Sequence, residues 1–424
     1  MASIVEELEV IGRRARATAH KMAFLSTEAK NKALENIARS LKEREGEILS
    51  ANARDLAAGR EAGLSEAMLD RLLLNPERLA GMASDVRAVA ALPDPVGRIY
   101  DMRTLPNGLQ VGRKRVPLGV IATIYESRPN VTVDIASLCL KSGNAVILRG
   151  GKEAQGSNLA LARAVQEAAT KAGVPEGAVQ FLENQDRAVV SHLLKMRDYI
   201  DLLIPRGGAG LIKFVFENAA MPVVAGGIGV CHIYLDASAE PEMAAAIAYN
   251  AKVQRPTVCN AMDALLVHSA AAGACLPAVA REWAKAKVEV HADPQALATL
   301  RGIPGLKLCL ATQEDWGKEF LALVAAVKVV DSLDEALEHI DRYGSGHTEA
   351  IITRDYLSAQ RFLNEVDAAC VFVNASTRFT DGGQFGLGAE VGISTGRLHA
   401  RGPMGLEELT TYKWIGLGTG QVRA

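Results

Sequence analysis

The sequence predicts an α/β protein built from two doubly wound parallel-sheet domains with a small β arm, and three observations carry that prediction. Short apolar runs alternate with helix-period segments over most of the chain, the pattern of a parallel sheet covered by helices on both faces. The 424 residues exceed what one ordinary core accommodates, so two or more domains are expected. Near residue 107 both periods lapse into an Asn-Gly pair between apolar residues, the strongest short-range hairpin signal.

Up to about Leu92 the chain reads as helices. Leu34, Ile37, Ala38 and Leu41 share one face, and Ser26 is a candidate cap ahead of Glu28. Pro93 and Pro95 break that run, and Leu105-Pro106-Asn107-Gly108-Leu109-Gln110-Val111 carries the hairpin. Strands are predicted at 120–124, 145–148, 179–182 and 202–204, with helices over 131–141, 157–172 and about 187–196. Gly143 and Gly173 close the first two helices. The longest uncharged stretch, 219–235, is broken by Pro222, Gly226, Gly227 and Gly229, and reads as two strands and a turn rather than a membrane span. A second series of strands follows at 231–235, 264–267, 287–290, 307–310, 325–330, 350–353 and 370–373. Ser332-Leu333-Asp334-Glu335 opens one of the intervening helices with a capping-box pattern. From Gly382 the tail is glycine-rich, and Leu409-Thr410-Thr411-Tyr412-Lys413-Trp414-Ile415 is a strand candidate for pairing with a partner subunit.

Composition narrows the function. A formal charge of -2, without a dense Lys/Arg run, gives no footprint for a phosphate backbone, so nucleic acid is not an expected partner. Six cysteines without a Cys-x-x-Cys pair fit a reducing compartment and argue against zinc, and none of the eight histidines stands at metal-ligand spacing from a second ligand. Glu6, Glu7 and Glu9 occupy positions where a secretory signal would be basic and then apolar. A cytoplasmic enzyme is the expectation, with neither metal nor membrane.

The chemistry concentrates at Gln254-Arg255-Pro256-Thr257-Val258-Cys259-Asn260, a thiol among polar and turn-forming residues between a predicted helix and a predicted strand. Such boundaries present side chains to ligands. Arg255 and the backbone N–H groups after Cys259 offer the positive charge that a thiolate needs. Cys139, Cys231, Cys275, Cys309 and Cys370 lie among Val, Leu, Ile or Ala and read as small buried hydrophobes. Two glycine loops, Arg149-Gly150-Gly151-Lys152-Glu153 and Arg206-Gly207-Gly208-Ala209-Gly210, follow strands and open helices, where open α/β sheets bind phosphates. Neither is a dinucleotide fingerprint or a P-loop, and each alone also fits a tight turn with solvated charges. His347, flanked by Gly346 and Thr348, reads as a loop or packing residue.

Five segments together resemble the aldehyde dehydrogenase superfamily and, within it, the branch that reduces an acyl phosphate in proline biosynthesis. They are Pro117-Leu-Gly-Val-Ile-Ala-Thr-Ile-Tyr-Glu-Ser-Arg-Pro-Asn130, Lys141-Ser-Gly-Asn-Ala-Val-Ile-Leu-Arg-Gly-Gly-Lys-Glu153, the Cys259 loop, Arg342-Tyr-Gly-Ser-Gly-His347 and Phe385-Gly-Leu-Gly-Ala-Glu-Val-Gly-Ile-Ser394. The resemblance implies an aldehyde dehydrogenase-like fold with Rossmann-like domains. Residues 1–104 and 117–229 correspond to the cofactor-binding domain and 230–381 to the catalytic domain. Residues 105–116 and 406–424 correspond to an oligomerisation arm, and 382–405 to a glycine-rich return segment.

By that resemblance Cys259 is the nucleophile. Oxidising members carry a water-activating glutamate in Glu-Leu-Gly-Gly, and this chain has Val224-Ala225-Gly226-Gly227 there. An enzyme that reduces its thioester loses it to hydrolysis if water is activated, so the missing base favours reduction. The superfamily's Lys-x-x-Glu cofactor motif appears as Arg149-Gly150-Gly151-Lys152, and an ammonium in place of the ribose-binding carboxylate suits the 2′-phosphate of NADPH. Gly207, Gly208 and Gly210 complete the cofactor loops, and Glu319 matches the glutamate that orients the nicotinamide ribose. Ser127 stands in place of the oxyanion-hole asparagine with Asn130 nearby, beside the Cys259 backbone N–H. Arg128 and Arg255 are candidates for the substrate's anions, with Thr257 and Asn260 beside them. The implied reaction is NADPH-dependent reduction of L-glutamyl 5-phosphate by a homo-oligomer, with association of the kinase that makes the acyl phosphate a further implication. Two alternatives stand beside it: another enzyme of the superfamily, CoA-acylating or oxidising, and a catalytically silent binding paralogue.

Overall fold

Every residue of the strand Val120–Tyr125 is buried, on both of its faces, and that burial forces helices onto both sides of the sheet it belongs to. The computed structural model describes residues 4–423; residues 1–3 and 424, included in the predicted segments 1–104 and 406–424, lie outside that description. The chain divides into two compact units. Unit 1 runs through Ala225 and takes in Gly386–Gly392 and the chain from Pro403, and unit 2 comprises Gly226–Phe385 and Ile393–Gly402.

Unit 1 opens with five helices, α1 (Ile4–Met22), α2 (Thr27–Glu43), α3 (Glu45–Glu61), α4 (Glu66–Leu72) and α5 (Pro76–Ala91). Ser26 caps α2 as its sequence predicts, its Oγ accepting from the Ala29 N–H at 3.2 Å, and Leu34, Ile37, Ala38 and Leu41 form its buried face. The hairpin of β1 (Ile99–Thr104) and β2 (Gln110–Pro117) turns on Asn107-Gly108, with Gly108 at φ +84°. That conformation costs a glycine nothing sterically. The first strand of this arm begins at Ile99, ahead of the 105 expected from sequence. The C-terminal strand Thr410–Leu417 pairs antiparallel with β2 of its own chain, so one of its edges is filled without a partner subunit.

The parallel sheet of unit 1 contains β3 (Val120–Tyr125), β4 (Ala145–Gly150), β5 (Val179–Phe181) and β6 (Leu202–Arg206) in the order β5-β4-β3-β6. The helices α6 (Asn130–Lys141), α7 (Gln155–Lys171), α8 (Arg187–Leu193) and α9 (Ala209–Asn218) alternate with these strands or follow them. Val120, Ala122 and Ile124 point into a core with Leu8, Ala15, Val189, Leu193 and Val215. The chain steps from β3 outward to β5 and then returns to β6 on the other side of β3, so the switch point of this sheet lies between the carboxyl ends of β3 and β6.

Unit 2 holds seven parallel strands in the order β10-β9-β11-β8-β7-β12-β13. These are β7 (Cys231–Leu235), β8 (Met262–His268), β9 (Glu289–Ala292), β10 (Lys307–Leu310), β11 (Val324–Val330), β12 (Thr348–Ile352) and β13 (Cys370–Val373). Its helices are α10 (Pro241–Val253), α11 (Ser269–Lys285), α12 (Pro294–Leu300), α13 (Leu333–Tyr343) and α14 (Tyr356–Glu365). Alternate residues part to opposite faces: Ile233, Leu265 and Ile352 pack with Ala248 and Trp283, while Tyr234, Leu266 and Ile351 pack with Ile340 and Phe362. Ser332 Oγ caps α13 by accepting the Glu335 N–H at 3.2 Å. The reciprocal half of the expected box is redirected, because the Glu335 carboxylate takes the Asp331 N–H at 2.9 Å and Lys328 at 2.9 Å.

One predicted strand is absent. Of the two expected within 219–235 only β7 forms, and the first is reduced to a single bridge between Val223 and Leu203. Pro222 has no N–H to extend that ladder, and Gly226 and Gly227 follow. Among the described residues no helix is long and apolar enough to cross a membrane.

A buried ion pair fastens α10 to β8. Lys252 Nζ lies 3.1 Å from Asp263 Oδ1, and both side chains are almost wholly enclosed. Burial lowers the Lys252 pKa against the opposing pull of Asp263, and burial raises that of Asp263 against the pull of Lys252. Removing one partner strands a charge, so Asp263→Ala is expected to cost roughly 3–5 kcal/mol, read as a lower urea midpoint. The double variant Lys252→Met/Asp263→Leu is expected to recover much of that loss. Equal destabilisation by the single and double variants would show that the site contributes packing alone.

Candidate active site

The ion pair closes the two ends of the segment that carries Cys259. Between α10 and β8 the chain makes tight turns, including a bond from the Ala261 N–H to Val258 O at 3.1 Å. Cys259 is half-buried at the amino end of β8, and Cys139, Cys231, Cys275 and Cys370 are buried, as expected. Cys309 corrects that expectation: it is half-buried, on an edge strand. Burial pushes the Cys139, Cys231 and Cys275 thiols up, disfavouring their thiolates.

The backbone around Cys259 is packed against the start of β7. Cys231 Sγ donates to Cys259 O at 3.2 Å. A Cβ on Gly229 would lie 1.9 Å from the same carbonyl oxygen, so no larger residue fits there. Gly229 N–H in turn donates to Glu319 Oε1 at 3.1 Å, which joins Glu319 to the thiol loop through one glycine. Phe320, the next residue, donates its N–H to Asp263 Oδ1 at 3.2 Å. The carboxylate that holds Lys252 therefore also anchors the strap bearing Glu319.

Asn260 is buried and fully engaged. Its Nδ2 donates to Thr380 O at 2.8 Å, its backbone carbonyl accepts from Thr377 Oγ1 at 2.7 Å, and its Oδ1 accepts from the Arg378 guanidinium. Arg378 also donates to Gln254 Oε1 at 3.0 Å. Burial lowers the Arg378 pKa, Asp381 opposes, Arg255 adds to the lowering and Cys259 opposes it, so this guanidinium stands in the field of the thiol loop. With Asn250, Gln254, Phe379, Asp381 and Gln384 it lines a cleft of about 190 Å³. The sequence reading missed Arg378. Its signal was an Arg in a Ser/Thr-rich turn directly after a strand, the same kind of boundary that singled out Cys259. Arg255 is exposed and Thr257 half-buried in the thiol loop. His347 is buried, with Nδ1 2.8 Å from Thr348 Oγ1 and 3.8 Å from Cys231 Sγ, a packing position.

In unit 1 the second set of candidates gathers at the switch point of the sheet. The Glu126 N–H bonds Arg206 O at 3.0 Å, and Glu126 Oε2 accepts the Gly208 N–H at 2.9 Å. Ser127 is buried at φ +47°, a strained conformation for a non-glycine residue. Its N–H and Oγ both donate to Glu153 Oε1, at 2.5 and 2.9 Å. Asn130 donates to Asp134 Oδ2 at 2.8 Å. Burial pushes the Asp134 carboxyl up to about 7 against that hydrogen bond. Arg128 is half-buried before α6. The Gly208 N–H, expected from sequence to meet a pyrophosphate, is thus already satisfied by the chain's own carboxylate.

The arginine loop has the features a nucleotide cofactor needs. A Cβ on Gly150 would lie 2.1 Å from Nδ2 of the buried Asn158, so a larger residue is excluded there, and one on Gly151 would lie 2.2 Å from Glu153 Oε1, which would have to swing aside. Arg149 gives one long bond to Gln185 O at 3.4 Å, and its Nε is buried with no hydrogen-bond partner among the described residues. Burial lowers the Arg149 pKa while Glu153 and Glu126 oppose. Lys152 is exposed in the turn Lys152–Ala154, and Gly207, Gly208 and Gly210 are exposed at the start of α9. An under-satisfied guanidinium and a free-standing ammonium flanking close-packed glycines fit a polyanionic nucleotide.

A profile of the aldehyde dehydrogenase family matches residues 2–299 and 311–415. The chain is 64% identical over 423 residues to a γ-glutamyl phosphate reductase of Dehalococcoides mccartyi, covering 100% of both chains. It is 56% identical over 417 residues to one from Escherichia coli O127:H6, covering 98% of this chain and 100% of the relative. The crystal structure of γ-glutamyl phosphate reductase from Thermotoga maritima superposes with a TM-score of 0.94 at 47% identity, covering 99% of this chain and 100% of that one. An engineered glycolyl-CoA reductase with bound NADP+ shares the fold alone, at a TM-score of 0.70 and 15% identity over 96% of each chain. Sequence matches that run nearly end to end, on a fold that superposes this closely, place the chain in the aldehyde dehydrogenase family.

Proposed function

We propose that the chain catalyses the NADPH-dependent reduction of L-glutamyl 5-phosphate to L-glutamate 5-semialdehyde and phosphate, a step of proline biosynthesis. The observation that carries this reading is the 64% identity, whole chain against whole chain, to a relative named for that activity. The half-buried loop thiol of Cys259 supports it.

In this mechanism Cys259 Sγ, as thiolate, bonds to the γ-acyl carbon while the bond from that carbon to the phosphate oxygen breaks, and phosphate departs with the electron pair. A cysteinyl thioester remains. A nicotinamide cofactor, when bound, would supply hydride to that carbonyl. Collapse of the resulting thiohemiacetal releases the semialdehyde and returns the thiol. The protein's part is to position and polarise. Asp263, Gly229 and Asn260 fix the loop backbone, and Arg255 with Arg378 makes its rim cationic for an anionic substrate. The Cys259 backbone N–H is the assigned oxyanion donor. Ser127 and Asn130 remain candidates for the same role and must exchange their present carboxylate partners to serve. Arg149, Lys152 and the glycines at 150, 151, 207, 208 and 210 would hold the cofactor, with Lys152 for the 2′-phosphate and Glu319 for the nicotinamide ribose. A cytoplasmic homo-oligomer completes the reading, joined through the arm, where Tyr412, Trp414 and Leu417 are exposed on the C-terminal strand. Association with the kinase that makes the acyl phosphate fits the lability of that substrate.

The reverse reaction tests the proposal. Glutamate semialdehyde should reduce NADP only when inorganic phosphate is present, because Val224 replaces the base that would activate water. Cys259→Ser should lower that rate by roughly a thousandfold or more with folding intact. Vigorous phosphate-independent oxidation would assign the chain to the oxidising enzymes, and coenzyme A substituting for phosphate would assign it to the acylating ones.

Cofactor choice is read separately. Lys152→Glu exchanges attraction for like-charge repulsion at the 2′-phosphate, so it should weaken NADPH at least about tenfold more than NADH. Equal losses for the two cofactors, measured as dissociation constants by fluorescence, would remove Lys152 from phosphate recognition.

A further inference from the structure

We propose that the edge of the unit 2 sheet carries a binding site for a divalent transition-metal ion of the zinc class, with Glu289, His291 and Cys309 as its protein ligands. These three side chains bring a carboxylate oxygen, an imidazole nitrogen and a sulfur within 4.8 Å of one another. The sequence argument against a metal rested on ligand spacing along the chain, and this site is assembled across strands instead.

The register explains the cluster. Strands β9 and β10 pair in parallel with His291 directly opposite Cys309 and Glu289 opposite Lys307. Residues two apart share a face, so Glu289 and His291 project together from β9, and Lys307 and Cys309 from β10. Edge strand β10 leaves the cluster half-buried, open to an ion from solvent.

The separations suit a small ion. A tetrahedral ion with bonds of about 2.0–2.3 Å spaces its ligand atoms roughly 3.3–3.6 Å apart. His291 Nε2 lies 3.2 Å from Glu289 Oε1, and Cys309 Sγ lies 4.0 Å from the same oxygen. The fourth position falls to water. A mixed sulfur, nitrogen and oxygen set favours a borderline ion over calcium or magnesium.

The imidazole is oriented from behind. His291 Nδ1 lies 2.9 Å from Asp315 Oδ1, and the other oxygen of Asp315 is fixed by the Thr312 N–H at 2.8 Å and the Thr312 hydroxyl at 3.0 Å. A carboxylate that takes the Nδ1 proton selects the tautomer whose Nε2 lone pair faces outward, the arrangement found behind zinc-bound histidines. Nε2 lies 3.2 Å from Glu289 Oε1, so in that tautomer an ion seated between them would be bonded by both. Lys307 neutralises Glu289 Oε2, leaving Oε1 for the ion. Phe320 walls the cluster with its ring edge-on to His291, centroids 5.6 Å apart. On binding, the Cys309 thiol gives its proton to solvent and sulfur bonds the metal.

Cobalt(II) alone is the probe, titrated into full-length protein carrying Cys259→Ser so that the catalytic thiol adds no signal. One ion per chain should bind with a near-ultraviolet thiolate-to-cobalt band. Adding Cys309→Ser should abolish the band, His291→Ala should weaken binding at least about tenfold, and Asp315→Asn roughly ten- to hundredfold. Zinc should displace cobalt and, in the unmutated protein, shield Cys309 from iodoacetamide as read by peptide mass. A folded protein, by circular dichroism, that gives no thiolate band overturns the proposal. So does a band that survives Cys309→Ser, or an affinity unchanged by His291→Ala.

Discussion

The buried contact between Lys252 and Asp263 is the constraint on which unit 2 is organised. Taking two ions out of water costs several kcal/mol each, and mutual attraction repays that only when the remaining donors and acceptors are satisfied. Here further bonds support the pair: Asp263 Oδ1 also receives the Phe320 N–H, and Lys252 also reaches Ala322 O at 3.4 Å. The geometry therefore ties three segments, the end of α10, the start of β8 and the strap before β11, to one point. The thiol loop runs between two of them and Glu319 lies on the third. The role proposed for Cys259 needs placement within a fraction of an ångström, and a hydrogen-bonded charge pair provides it where a softer apolar contact would not.

The electrostatics of the two glycine loops add a second theme. Places suited to an anion, by exposed backbone donors and nearby guanidinium groups, are filled by the protein's own Glu126 and Glu153. These carboxylates keep such donors satisfied and pull against the desolvation of Arg149. A bound pyrophosphate would then act by exchange of one anion for another, so the affinity reflects a difference between two favourable states.

Much of the architecture was legible because the signals are local. Most parallel strands of both units show as short apolar runs, although β9, expected at 287–290, forms two residues later over Glu289–Ala292 where Glu and His alternate with apolar residues, and Asn107-Gly108 and Ser26 act through their immediate neighbours. Cys259 was legible by contrast with the thiols set among aliphatic residues. What escaped depends on pairing between distant residues. Lys30, Lys141 and Lys252 are charged residues of a kind that ordinarily faces water, yet all three are buried against partners such as Asp94, Asn31 and Asp263. Arg378 lies more than a hundred residues from the asparagine it grips. The cross-strand cluster at Glu289, His291 and Cys309 exists only through a register, and the strand expected near Val223 fails for want of one amide hydrogen beside a proline. Cys259 stands at the amino end of β8, the end opposite to the one where open parallel sheets ordinarily bind ligands.

The interrupted composition of unit 1 has a bearing on how the molecule is made. Its arm pairs Pro117 with Thr410, positions about 290 residues apart, and Asn144 in its interior donates to Leu409 O at 2.8 Å. A nascent chain emerging from the ribosome can assemble β3 to β6 early, but the Leu409 carbonyl that Asn144 meets and the strand that pairs with the outer edge of β2 arrive only after translation has passed through the whole of unit 2. For that interval the growing polypeptide displays an unpaired strand to every neighbouring chain on the same message. The order of synthesis thus makes strand exchange between sister molecules a competitor of correct closure, and chaperone demand should peak late in translation rather than early.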